Sequence, residues 1–206
     1  MNNLLATCSG GIIFTGESVR GIRELRKTRT TRVIKPQPSA GVRSSPFVPS
    51  GIEDGHGRQF RPRYQPGKRY YVKETWCCKV DMISAKVTDD FYYRLDNPDV
   101  VKVDGDGWTV ANKDGAEASP WLSPMRMPKR AARYVIEIDE VKVMRLQDIT
   151  EKEVQEEGIY TWAEGDHTCN TVETYFAPAW NQINGKTAPW FTNPWVFSHR
   201  FHLVTP

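Results

Sequence analysis

The chain has 206 residues, of which 39% are hydrophobic and 26% charged, and a formal net charge of +3 at pH 7. This length fits one domain with generous insertions better than two independent domains. No apolar run approaches the roughly 20 residues that a membrane-spanning helix needs, and the first residues lack a basic and apolar signal segment, so we expect a cytoplasmic protein with no membrane partner.

The cysteines and histidines show no spacing typical of a metal site. Cys77 and Cys78 are adjacent, whereas Cys8 and Cys169 stand alone. Zinc sites usually take paired ligands about two to four residues apart. The same holds for the four histidines, which form no ligand pattern: His56, His167, His199 and His202. Reduced structural thiols are the preferred interpretation, and we expect no metal and no other cofactor.

The first part of the chain predicts a strand, a helix and a second strand. A short apolar strand at 12–14 precedes a helix that ends near Lys27, with three apolar residues at helical spacing: Val19, Ile22 and Leu25. Residues 28–34 are rich in β-branched side chains, which favour a strand. The strand stops at the prolines that follow, because proline cannot donate to a β-ladder.

The same segment is locally very basic. One acid, Glu24, lies among seven cations between positions 20 and 35: Arg20, Arg23, Arg26, Lys27, Arg29, Arg32 and Lys35. A solvated basic face, a phosphate-binding patch and a catalytic cluster are all compatible with this run.

Two long insertions interrupt the remaining pattern. Residues 39–63 and 79–129 have little periodicity and are read as long loops on a single domain of residues 1–206, with a hairpin turn at 104–107. Residues 70–76 lie between the insertions and predict a strand.

The helix after position 150 is the best-specified element. Thr150 and Glu153 have the spacing of a capping box, Ile149 and Val154 that of a hydrophobic staple, and Gly158 ends the helix.

Three further elements complete the pattern. Alternating apolar residues at 134–143 predict a strand, and residues 195–203 predict another. A third helix is expected over 172–184, kinked or restarted at Pro178, with an apolar face that includes Ile183.

Several blocks resemble the ASCH family, particularly its phage and prophage members. They lie in chain order and span nearly the whole sequence: 16–22, 26–38, 66–67, 71–76, 127–133, 146–159, 180–186 and 193–196. One departure is Leu25, which stands where the family usually has a glycine. The resemblance implies an α+β fold, a small PUA-like β-barrel flanked by about three helices and carrying long loop insertions. It also implies a phage-encoded protein acting inside a bacterial host cell.

The resemblance implies ligands as well. Family members bind RNA or nucleotides, so the ligand expected here is a nucleobase or nucleotide, RNA, a single-stranded nucleic acid or a modified nucleoside. The residues expected to line a basic, aromatic cleft here are Arg26, Arg29, Arg32, Glu74, Trp76, Trp180, Asn181 and Trp195. Core packing is the alternative for the tryptophans, and surface ion pairing is the alternative for Glu74.

Some small relatives are amidohydrolases that deacetylate acetylcytidine with a lysine, a threonine and a glutamate. Matched residue by residue, these fall on Lys27, Thr30 and Glu157. Either Thr30, activated by a base such as Lys27, or a water molecule would attack the acyl carbon. Glu157 would hydrogen-bond a cytosine-like amine or shuttle a proton to the leaving group. The alternatives are a strand role for Thr30 and a structural ion pair for Glu157. A ribonuclease is a further reading of the family resemblance, and the two insertions are absent from the smallest amidohydrolase relatives.

Overall fold

A computed structural model describes residues 2–39, 41–81, 86–96, 101–102, 110–111, 121–159 and 171–204. The chain divides into two compact units. The first unit contains residues 1–23, 69–136 and 204–206, and the second contains residues 24–68 and 137–203. No helix in the described residues is both long and apolar enough to cross a membrane.

A mixed five-stranded sheet is the main β-structure. Its strands are β1 (Gly10–Ile13), β2 (Arg29–Val33), β6 (Arg69–Lys73), β11 (Val135–Arg145) and β12 (Trp195–Leu203). Their order is β1-β6-β11-β12-β2, with β1 parallel to β6 and β12 antiparallel to β2. The α+β fold is therefore confirmed.

The expected closed barrel is not what the described residues form. The main sheet keeps two edges, β1 and β2. The other strands pair only with one another: β3 (Arg43–Ser44), β4 (Ile52–Glu53) and β5 (Gln59–Phe60) in one sheet, β7 (Trp76–Asp81) with β8 (Lys86–Tyr93), and β9 (Val101–Lys102) with β10 (Val110–Ala111). In the described part of the chain no strand is therefore left to join β1 to β2.

The first unit contains helices α1 (Asn2–Ala6) and α2 (Gly16–Arg23). The Thr15 carbonyl accepts the first helical bond, from the Val19 N–H, and Val19 and Ile22 are buried as expected. The helix stops short of Lys27 because Leu25 has a left-handed backbone, with φ of 58°. Leu25 is 69% exposed, so its expected place on the apolar face was wrong.

The hydrophobic core of the first unit gathers side chains from several elements. Its buried members are Leu5, Trp76, Cys78, Met127, Ala131, Ala132 and Val135. Single turns of 3-10 helix at Pro124–Arg126 and Lys129–Ala131 bring the last residues of the second insertion into this core. The hairpin turn expected at 104–107, Cys169 and His167 lie outside the described residues.

The second unit contains helices α3 (Glu151–Glu156) and α4 (Ala177–Asn184). The capping box at the start of α3 is confirmed: Thr150 Oγ1 accepts from the Glu153 N–H, and Glu153 Oε2 accepts from the Thr150 N–H. Ile149 and Val154 are both buried in the core beside α3, as a staple requires.

The third expected helix begins as a π-helix at Val172–Phe176 and continues as α4, with Pro178 in its first turn. The expected restart at Pro178 is therefore confirmed. Phe176 and Trp180 are buried, but Ile183 is 69% exposed and does not belong to the apolar face. Gly185 caps the end of α4.

The first insertion is not one long loop, as the sequence suggested. Strands β3, β4 and β5 form an antiparallel sheet within it. Ile52 and Phe60 pack with Ile34 and Phe197 in a shared core. A Cβ at Gly51 would lie 2.7 Å from the Phe60 carbonyl oxygen, so the tight turn before β4 needs glycine. The insertion is thus fixed to β2 and β12.

Candidate functional site

Strand β2 and the end of α3 are joined by hydrogen bonds just before β2 begins. The Thr28 N–H donates to the Glu156 carbonyl at 2.8 Å. Buried Lys27 donates through Nζ to both the carbonyl oxygen and Oε2 of Glu157, each at 2.6 Å. Gly158, with φ of 83°, lets the chain pass close to Lys27, where a Cβ would lie 3.1 Å from the Lys27 Cβ. The structure therefore brings Lys27 and Glu157 together in a buried ion pair.

Arg29 is also internal. Its Nε donates to Glu156 Oε2 at 2.6 Å and its Nη1 to Ser198 Oγ at 3.0 Å, while Glu153 Oε1 lies 3.7 Å from Nη1. These contacts occupy the guanidinium with protein partners, and only 7% of the residue is exposed. Arg29 therefore holds β2, β12 and α3 together, and a direct role of Arg29 in ligand binding stays a prediction.

Thr30 lies opposite His199 in the antiparallel pair of β2 and β12. Both residues are buried. The His199 Nδ1 atom lies 3.3 Å from the Thr30 carbonyl oxygen, which can only accept, so Nδ1 carries the ring proton. Nε2 of His199 and Oε1 of Glu157 are both buried without a hydrogen-bond partner.

The His199 ring is neutral at physiological pH. Burial lowers the pKa of His199 to about 4, and the charge of Arg32 acts in the same direction. The Thr30 carbonyl and the Glu157 carboxylate oppose this shift but are outweighed. Nε2 is therefore an unprotonated hydrogen-bond acceptor.

The second unit contains a cleft of about 670 Å³ that is lined in part by His199. Strand β2 and the segment after it contribute Arg32 to Pro36. The end of the first insertion and the residue after it contribute Arg58 to Arg61, Arg63 and Tyr64. Phe197 and His199 come from β12. Of the described residues that line this cleft, five are cations and none is a carboxylate.

Four of the five cations that line the cleft are exposed. Lys35, Arg58, Arg61 and Arg63 are exposed, and no ion pair joins any of them to another described residue. The Arg63 guanidinium lies 5.6 Å from the centre of the Tyr64 ring, which in turn meets the His199 ring edge-on at 5.6 Å. The cleft therefore combines exposed cations with buried aromatic side chains.

The other expected ligand residues of the second unit have protein partners. Arg26 donates through Nε to Glu24 at 2.7 Å. Trp180 is buried, and its Nε1–H donates to the Ala188 carbonyl at 2.8 Å. Asn181 accepts through Oδ1 from the Trp190 N–H. The partly exposed Trp195 ring lies 4.5 Å from the Arg145 guanidinium. None of these four lines the cleft.

The two expected residues of the first unit are buried there. Glu74 accepts from Nε and Nη2 of Arg133, each at 2.8 Å. The Arg133 guanidinium also lies 4.0 Å from the centre of the Tyr93 ring. Trp76 belongs to the core of this unit. Both contacts are those of structural residues, and a ligand role for either stays a prediction.

Several lining residues were not among those expected from the sequence: Arg58, Phe60, Arg61, Arg63, Tyr64, Phe197 and His199. The signal for most of them is the alternation of basic and aromatic residues at 58–64, inside the segment read as a loop. Within the described residues, no three histidine, cysteine, aspartate or glutamate side chains gather as they would around a metal ion.

No protein-family model, curated protein or solved structure matches this chain.

Proposed function

We propose that this chain is an ASCH-type, PUA-like protein that binds a nucleotide, or a single-stranded segment of RNA or DNA, in the cleft between β2 and the first insertion. The observation that carries the proposal is the composition of the lining. Five cations and several aromatic side chains line the cleft, and none of the described lining residues is a carboxylate. A cytoplasmic, phage-encoded protein acting on nucleic acid in a bacterial cell fits the same proposal.

The cations supply the affinity for phosphate. Arginine matches the paired oxygens of a phosphate with two parallel N–H donors, and each neutralised phosphate releases bound counterions. Arg58, Arg61 and Arg63 are exposed and line the cleft, so a phosphate can reach their guanidinium groups. The insertion therefore contributes most of the phosphate-binding charge.

The aromatic residues supply the environment for the base. Phe60, Tyr64 and Phe197 lie in the lining and are largely buried. A base that enters the cleft leaves water for contact with these rings, which favours nucleotides over bare phosphate.

The test is equilibrium binding of fluorescent single-stranded RNA and DNA at low salt. The variant Arg61→Gln/Arg63→Gln removes two of the lining charges, and each charge-assisted contact is worth about 1.5 kcal/mol, so we expect affinity to fall on the order of a hundredfold. Arg200→Gln is the matched control, because Arg200 is exposed in the same unit but does not line the cleft. Equal losses in the two variants, or no binding by the wild type, would contradict the proposal.

A second candidate function is an amidohydrolase acting on an acylated cytidine-like nucleoside. The observation that favours it is the buried Oε1 of Glu157, which has no partner although Oε2 is held by Lys27. As an ammonium that donates to Glu157, Lys27 cannot accept a proton, so its proposed role changes from base to positioning group.

In this reaction Thr30 Oγ1 attacks the acyl carbon and Glu157 Oε1 takes the hydroxyl proton. The carbon–nitrogen bond then breaks, and the proton passes from Glu157 to the departing amine. Water hydrolyses the acyl-threonine, releasing the carboxylic acid and restoring the hydroxyl group.

The enzyme candidate is tested by incubating the protein with acetylated cytidine and separating the products by chromatography. We expect Thr30→Val to abolish release of cytidine while keeping the side-chain shape. Thr31→Val is the control, since the Thr31 hydroxyl has no hydrogen-bond partner to lose. Absence of turnover by the wild type rejects the amidohydrolase and leaves the binding function intact.

A further inference from the structure

We propose that His199 reads the base of the bound nucleotide by accepting a hydrogen bond at Nε2, so that the cleft selects bases with an exocyclic amino group over their keto counterparts. The inference rests on the proposed nucleotide-binding function and names the specificity of the same cleft. It favours cytosine over uracil and adenine over hypoxanthine.

The position of the His199 ring is fixed by the sheet. Thr30 and His199 are register partners in β2 and β12, and the Nδ1 atom of His199 lies 3.3 Å from the Thr30 carbonyl oxygen. Because that oxygen can only accept, the proton stays on Nδ1 and the lone pair stays on Nε2. The backbone of β2 therefore determines which kind of ligand atom the ring can meet.

Nε2 lacks a partner in a place where partners are expected. The His199 residue is 1% exposed, and Nε2 makes no hydrogen bond, although His199 lines the cleft. Buried polar atoms are nearly always paired, and an unpaired one is costly. A ligand N–H that reaches Nε2 removes this cost, whereas a keto oxygen there would place two acceptors face to face.

The charge state of the ring keeps this preference at physiological pH. Burial lowers the pKa of His199 to about 4, so the ring does not become a donor near neutrality. The charged groups that act on it are Arg32, which lowers its pKa, and Glu157, which raises it. Tyr64 and Phe197 face the ring with aromatic surface, at centroid distances of 5.6 and 6.3 Å.

The test compares nucleotides that differ only at this group. Calorimetric titrations use cytidine against uridine monophosphate, and adenosine against inosine monophosphate, so sugar and phosphate are constant. We expect the wild type to bind each amino form on the order of tenfold more tightly. His199→Phe keeps a ring but loses Nε2, and we expect its two affinities within each pair to become equal.

Two control variants separate base reading from phosphate binding. Arg61→Gln weakens all four nucleotides alike and leaves the ratio within each pair unchanged. His202→Phe alters an exposed histidine of the same strand, which pairs with Asp139 and does not line the cleft, and it leaves the ratio unchanged as well.

A spectroscopic measurement on the wild type covers the case in which His199→Phe does not fold. In the ¹⁵N spectrum of the histidine rings, we expect the Nε2 signal of His199 to move on adding cytidine monophosphate and to stay in place with uridine monophosphate. Tight binding of both members of a pair with equal affinity overturns the base-reading role but leaves the binding function standing. Binding of none of the four overturns both.

Discussion

Protonation of His199 makes the stability of the protein depend on pH. Burial lowers its pKa from the ordinary 6.5 to about 4, so the folded state resists protonation while the unfolded state does not. Between these values the unfolded chain binds the extra proton, and stability rises with pH. The contribution of neutral His199 to the free energy of unfolding is therefore fully present above pH 6.5. We expect the free energy of unfolding to fall by about 3 kcal/mol as the pH drops to 4.

Urea unfolding at pH 7, 5.5 and 4 measures this loss, and His199→Phe is expected to lose the part due to the histidine. The step from pH 7 to pH 5.5 isolates His199 from Glu153. Burial raises the pKa of Glu153, but bonds from the Thr150 N–H and Lys142 outweigh burial and hold the pKa below 4.5, so its contribution to stability is lost only as the pH falls below 4.5. The same pH dependence in wild type and variant would show that His199 is not the group responsible.

Leu25 has the backbone conformation of a glycine. At φ of 58° a side chain crowds the following carbonyl, which costs about 1–2 kcal/mol, and 69% exposure leaves little packing to lose. We expect Leu25→Gly to raise the free energy of unfolding by up to about 1 kcal/mol, after the greater freedom of glycine in the unfolded chain is subtracted. Leu25→Ala keeps the crowded Cβ and is expected to bring no gain in a urea midpoint.

The basic run at 20–35 shows that the role of a single cation cannot be predicted from its place in such a run. Its members have different fates: Lys27 and Arg29 are buried in ion pairs, whereas Arg32 and Lys35 line the cleft. The partners Glu156 and Glu157 lie more than a hundred positions later in the chain. Charge density alone could not separate internal cations from those that line the cleft, although the family resemblance did pair Lys27 with Glu157.

Helix α3 positions both Glu156 and Glu157, and the helix begins with the capping box. Removing the Thr150 hydroxyl leaves the Glu153 N–H without its acceptor. We expect Thr150→Ala to lower the free energy of unfolding by about 1 kcal/mol. Thr150→Ser retains the hydroxyl and is the control; an equal loss in both variants would assign the effect to side-chain packing and not to the cap.

Elements with local signals could be predicted and elements without them could not. The capping box, the staple and Gly158 lie within ten residues, so α3 was evident from sequence. Strands β3, β4 and β5 have two residues each, too few for an alternation to appear. Their pairing depends on Ile52 and Phe60 packing against Ile34 and Phe197, which are distant in sequence.

Across the whole chain, the sequence predicted the α+β class, which the structure confirms, but not the open edges of the main sheet. The basic site expected after helix α2 stays a prediction. Barrel closure depends on which strands pair with one another, and that is a long-range property. The same limit applies to the cleft, since the first insertion supplies three of its five cations. A segment read as a loop thus carries most of the proposed phosphate contacts.

The most direct measurement is the salt dependence of single-stranded RNA binding. With about −0.7 in the slope of log K against log salt for each phosphate contacted, five cations give a slope of up to about −3.5. We expect a steep slope in the wild type and one shallower by about 1.4 in Arg61→Gln/Arg63→Gln. A flat response, or the same slope in the wild type and the double variant, would contradict binding of phosphates by this cleft.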